Sequence, residues 1–89
     1  MRRAYAYSVN LQRADLVGVK LEHARLQRAN LQGADLSYAF LDGAVLQRAN
    51  LQEANLQFAQ LPKAQLTSAN LQRARLQLAN LQEAKPPLD

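Results

Sequence analysis

The fold that this sequence predicts is an all-β solenoid of short square coils joined by coil-to-coil backbone ladders, and three observations predict it. Leucine occupies every fifth position from Leu11 through Leu81, fifteen in succession, and Ala6 takes the same register one step earlier. Two residues before each of these centres stands a small apolar residue, Ala from Ala4 to Ala79 except at Val9 and Val19. Similarity also recurs at twenty, so that Asn10-Leu11-Gln12 returns as Asn30-Leu31-Gln32, Asn50-Leu51-Gln52 and Asn70-Leu71-Gln72.

A step of five fits neither regular element. On an α-helix, at about 100° per residue, it rotates each next leucine by roughly 140° and scatters the leucines around the cylinder. In a flat strand, where side chains alternate, it sends successive leucines to opposite faces. The abundance of Ala, Leu, Gln and Arg favours a helix on propensity alone, but propensity is the weaker signal. Twenty is four fives, so one pentapeptide per side closes a square coil and sets equivalent residues one above another at about 4.8 Å. About four coils result, roughly 19 Å tall by that spacing. Leucine and the small residue face inward, with Leu11, Leu31, Leu51, Leu71, Ala29 and Ala49 in the core.

Between the small residue and the leucine stands Asn or Asp in half of the units: Asn10, Asp15, Asn30, Asp35, Asn50, Asn55, Asn70 and Asn80. The pattern A-(N/D)-L-x-x, from Ala4 to Ala84, resembles the pentapeptide repeat family. The resemblance implies a right-handed quadrilateral β-helix, with leucine and the small residue inside and the other three positions turned out. The sequence departs from the pattern at Lys20, Arg25, Phe40, Val45, Gln60, Gln65 and Arg75, all at an outward position. The stacked Asn10, Asn30, Asn50, Asn70 and Gln12, Gln32, Gln52, Gln72 columns are expected to form amide ladders.

One domain spans 1–89, with repeats at about 4–85 and a tail at 86–89. Pro86 falls where a leucine belongs and Pro87 follows, which stops the repeat by sterics and a missing donor. Neither MRRAYAYS nor KPPLD is long enough to cap a coil with a helix, so end-to-end stacking into a homodimer is expected. The chain has no cysteine, hence no disulfide framework, and no run of 18 apolar residues. A cytoplasmic protein without a membrane partner is the simplest expectation. The net charge of +4 is mild.

Function is expected on the outward columns. Gly18, Tyr38, Phe58 and Leu78 stack three apolar groups on the exterior, with Phe40 close along the chain, and a contiguous apolar patch marks an interface. The candidate partner-binding residues are therefore Tyr38, Phe40, Phe58 and Leu78. A second column, Ser8, Arg28, Arg48 and Ser68, holds two arginines and no acid, with Arg25 nearby. Arg25, Arg28 and Arg48 are the candidate anion-binding residues. Elsewhere charges alternate, Glu53 below Arg73 and Lys63 below Glu83. Catalysis finds no support, because His23 shares its column with Gly43, Lys63 and Glu83 and lacks a nucleophile or second base. Asp15 and Asp35 stack without a third metal ligand, and the three glycines make no phosphate loop, so no cofactor or metal is expected.

The expected function is thus a non-enzymatic protein-binding or scaffolding module with a protein partner. The resemblance offers an alternative, since some pentapeptide repeat proteins mimic duplex DNA and bind type II topoisomerases. Such mimicry needs an acidic rod, and a net charge of +4 disfavours it. Weak nucleic-acid binding through the surface arginines is the remaining alternative, also disfavoured.

Overall fold

A computed structural model of the chain describes residues 8–87. The start of the repeat at Ala4 and Ala6, and the end of the tail at Leu88 and Asp89, lie outside the described residues. The chain winds into stacked coils of twenty residues. Parallel bridges join Asn10, Asn30, Asn50 and Asn70 on the first side and Asp15, Asp35, Asn55 and Arg75 on the second. Lys20, Phe40, Gln60 and Asn80 align on the third side, and Arg25, Val45, Gln65 and Lys85 on the fourth. Each bridge is a single residue per coil, so the expected strands reduce to isolated contacts. The reason is steric economy: a four-residue turn within every five-residue unit leaves one residue for the ladder. The described chain measures 25 × 23 × 23 Å, a block as tall as it is wide.

The unit around Leu51 shows where its five backbone N–H groups go. Asn50 N–H donates to the Ala29 carbonyl one coil down (2.9 Å), while Leu51 and Glu53 donate up to the Asn70 and Gln72 carbonyls (2.8 and 2.9 Å). Ala54 N–H closes the turn onto the Leu51 carbonyl at 3.1 Å. The remaining donor, Gln52 N–H, is accepted by the Asn50 side-chain Oδ1 at 3.1 Å. No N–H is left over, as a buried backbone requires.

That last bond explains the Asn/Asp position. All eight residues of this type accept from the N–H two residues on, Asn10 from Gln12, Asp15 from Val17, Asn30 from Gln32 and Asp35 from Ser37 among them. Asn50, Asn55, Asn70 and Asn80 do the same. This is the local turn-forming bond that Asn and Asp make readily. It corrects the expected asparagine ladder: these Oδ1 atoms serve their own turns, not the coil above. Of the glutamine column only Gln52 to Gln72 forms a rung (3.0 Å), with Gln57 to Gln77 (3.4 Å) on the next side. Pro62, which has no N–H to satisfy, stands in a unit whose Asn/Asp position holds Gln60.

The second turn residue has positive φ in every unit. Thirteen such residues are not glycine, from Ser8 to Glu83, with φ between 57° and 63°. Positive φ at this position alone, with the small-residue N–H returned to the leucine carbonyl, is the type II pattern. No β-branched residue occupies any of the sixteen second positions, although Val17 and Thr67 occupy first positions. Left-handed backbone costs an L-residue roughly 1–2 kcal/mol, most for a branched side chain.

The interior contains only Leu and Ala; no polar residue is buried among the described residues. Leu31 through Leu61 are fully buried, as are Ala29 and Ala49. Leu11 and Leu71 lie at the ends and are half-buried against the cluster. Leu81, in the last coil, is 38% exposed. An end coil is covered on one side only, which is why the leucine column is continuous in register but graded in burial. Val9 and Val19 share this partial burial with Leu71 and Leu76, so position in the stack accounts for it. In the last coil the N–H groups of Leu71, Arg73, Leu76, Leu78, Leu81 and Glu83 have no backbone acceptor among the described residues.

Two outcomes test this account. Leu51→Ala is expected to lower stability in urea unfolding by about 2–5 kcal/mol and Leu11→Ala by less, because the central cavity has no solvent-facing side on which to collapse. At a second turn position, Lys63→Gly is expected to be neutral to stabilising, by up to about 1 kcal/mol, and Lys63→Val destabilising by about 1–3 kcal/mol.

Candidate functional site

The sixteen second turn positions fall at four corners, met in chain order around the square. The first holds Ser8, Arg28, Arg48 and Ser68; the second Arg13, Gly33, Glu53 and Arg73. The third holds Gly18, Tyr38, Phe58 and Leu78; the fourth His23, Gly43, Lys63 and Glu83. The arginine corner and the aromatic corner are therefore diagonal to one another.

At the third corner the Tyr38 and Phe58 rings stack with centroids 4.9 Å apart and planes within 4°. A stacked pair of this kind adds about 0.5–1.5 kcal/mol beyond its area. Leu78 continues the column on the next coil and is 75% exposed. Phe40, 39% exposed, sits on the adjoining third side between Lys20 and Gln60. Val17, half exposed at the first position of the turn below Ser37, extends the patch. Sorting only second turn positions passes over Val17; its signal was a valine among glutamines and polar residues at the first position.

At the first corner lies a groove of about 410 Å³. Arg28 and Arg48 line it, with the hydroxyl residues Ser8, Thr67 and Ser68, and the amides of Gln27 and Gln47 complete the wall. Arg25 is not among the lining residues; it is exposed on the fourth side, bridged to Val45. The second-position backbone donors here are already used, Arg28 N–H by the Gln47 carbonyl (2.9 Å) and Arg48 N–H by the Thr67 carbonyl (3.0 Å), whereas the N–H groups of Gln27, Gln47 and Thr67 follow Arg25, Val45 and Gln65 and have no Asn or Asp acceptor. Thr67, Gln27 and Gln47 stand at first turn positions, which the second-position column did not include. Gln47 Nε2 donates to Gln65 Oε1 at 3.3 Å, whereas Gln27 Oε1 is buried with no partner.

Arg73 pairs with Glu53 at 3.3 Å, both well exposed, so the pair contributes little, in the range of about 0–1 kcal/mol. Lys63 and Glu83 stack in register but form no ion pair. The His23 ring lies over Gly43: a Cβ at Gly43 would stand 2.7 Å from His23 Nδ1. His23 thus covers a gap in the wall and faces no acid or nucleophile of its own column. Among the described residues no group of three or more His, Cys, Asp or Glu converges as metal ligands. Among the described residues no helix is long and apolar enough to cross a membrane.

The family model described as pentapeptide repeats matches this chain in eight copies over residues 10–48, 29–66 and 49–85. Among solved structures the chain is similar to the crystal structure of a pentapeptide repeat protein, Rfr23, from the cyanobacterium Cyanothece 51142, at 41% identity and a TM-score of 0.94. The likeness covers 96% of this chain and 58% of that one, so the chain spans somewhat over half the length of that protein. With the twenty-residue coils it implies the right-handed quadrilateral β-helix. No curated protein matches the chain.

Gly43→Ala is expected to lower the thermal midpoint, because the methyl meets the His23 ring and the position has φ of +65°. In the His23→Ala background the steric part should vanish and the backbone part remain, roughly 1 kcal/mol. Thermal unfolding of the two single variants and the double variant measures the coupling.

Proposed function

Because the chain belongs to the pentapeptide repeat family, a family of repeat solenoids, we propose that it is a non-catalytic protein-binding scaffold whose contact surface is the aromatic corner. The observation that carries this reading is the exposed apolar column: Tyr38 and Phe58 stacked, Leu78 continuing them and Phe40 beside them. Apolar groups contiguous over three coils on an otherwise polar exterior are the mark of an interaction surface. Aromatic rings held by stacking lose little further freedom on binding, which suits them as anchors. The partner is a protein presenting apolar side chains to this corner.

The mimicry of duplex DNA remains the poorer reading, since the net charge of +4 is of the wrong sign for it.

Capture from a native lysate tests the scaffold reading. Wild-type protein is expected to retain a defined set of proteins that Tyr38→Ser/Phe58→Ser loses and Gln52→Ala keeps, with all three forms equally folded by circular dichroism. Identical sets from the three forms would remove the aromatic corner from consideration.

A further inference from the structure

We propose that the groove at the arginine corner is a binding site for a terminal phosphoryl group, a phosphomonoester carried by a small molecule or by a modified protein side chain. Arg28 and Arg48 occupy equivalent corner positions on adjacent coils, roughly 4.8 Å apart along the stack. No acidic residue lines the groove, and neither guanidinium forms an ion pair among the described residues. The backbone holds the two positions this close while both side chains are exposed, so the like charges either splay into solvent or take an anion between them, which reverses the sign of their interaction.

The donor set selects the kind of anion. One guanidinium can hold both oxygens of a carboxylate by a bidentate contact. Two guanidiniums with the hydroxyls of Ser8, Thr67 and Ser68 supply more donors than the roughly four acceptor sites of a carboxylate, but suit the three terminal oxygens of a phosphomonoester.

The shape argues for a discrete ligand over a nucleic-acid track. A duplex strand presents a phosphate about every 3.4 Å and needs a continued basic stripe. Here the arginine pair ends in neutral Ser8 below and Ser68 above. The volume of about 410 Å³ is that of a small-ligand pocket. The site lies diagonal to the aromatic corner, so its occupation is independent of the scaffold reading.

Calorimetric titration at low ionic strength with inorganic phosphate, phenyl phosphate and a phosphoserine peptide tests the site, with acetate as the carboxylate probe. Saturable phosphate binding is expected, tighter than acetate. Arg28→Gln and Arg48→Gln should each weaken it by tenfold or more, and Arg28→Lys should recover part of the loss. Arg75→Gln, which removes the same charge from the second side, should change it less than twofold. A peptide that binds tighter than phenyl phosphate assigns the phosphoryl group to a modified protein; the reverse order assigns it to a small molecule. Equal losses in the Arg75 and Arg28 variants, no phosphate binding at 10 mM, or tighter binding of duplex DNA would each overturn the proposal. Circular dichroism and thermal midpoints of the variants separate lost binding from lost fold.

Discussion

Four or five backbone N–H groups stand in each pentapeptide, and the rest of the structure depends on where they find acceptors. Three go to neighbouring coils, one closes the turn, and the fifth is taken by Asn or Asp where the repeat supplies one. Because three of the five bonds leave the coil, a single coil cannot satisfy itself. Stability is therefore a property of stacking, and it accumulates toward the middle, where leucines are covered above and below. The same accounting fixes the side-chain plan. The turn aims leucine and the small residue inward, and alanine suffices at the second inward site because four sides converge on one narrow axis.

The core was legible in the sequence because burial follows register: Leu31 and Leu51 are where a period of five and a period of twenty place them. The role of Asn and Asp was not legible in the same way. Reading by columns compares Asn30 with Asn50, twenty residues on, whereas the bond that matters runs from Asn30 to Gln32. A residue stacked on its own kind invites a ladder, but an acceptor two residues from an unpaired N–H in a rigid turn is closer and needs no partner coil. The left-handed corners were hidden for a different reason. Glycine, the usual sign of positive φ, fills only Gly18, Gly33 and Gly43. The signal present was an exclusion: Val and Thr appear at first turn positions and never at second ones.

The candidate surfaces were half legible for the same cause. Tyr38, Phe58 and Leu78 share one column and were found together, as were Arg28 and Arg48. A groove, however, is made by neighbouring columns. Thr67 and the Gln27 and Gln47 amides belong to first turn positions, and a classification by one column splits what the corner joins. Arg25, close to Arg28 along the chain, sits on the flat fourth side and outside the residues that line the groove.

The corners also bear on why bulky residues there carry meaning. The backbone asks of a second turn position only that it tolerate φ near +60°, and glycine does so at no steric cost. Serine, lysine and glutamate at such sites gain solvation and solubility to set against the conformational cost. Phe58 and Leu78 gain neither, yet they stand in the same column as Gly18, where the chain shows that the smaller residue is compatible with the fold. Stacking of Phe58 on Tyr38 recovers about 0.5–1.5 kcal/mol, comparable to the cost of one left-handed residue and less than the cost of three. Internal packing alone therefore does not balance the column.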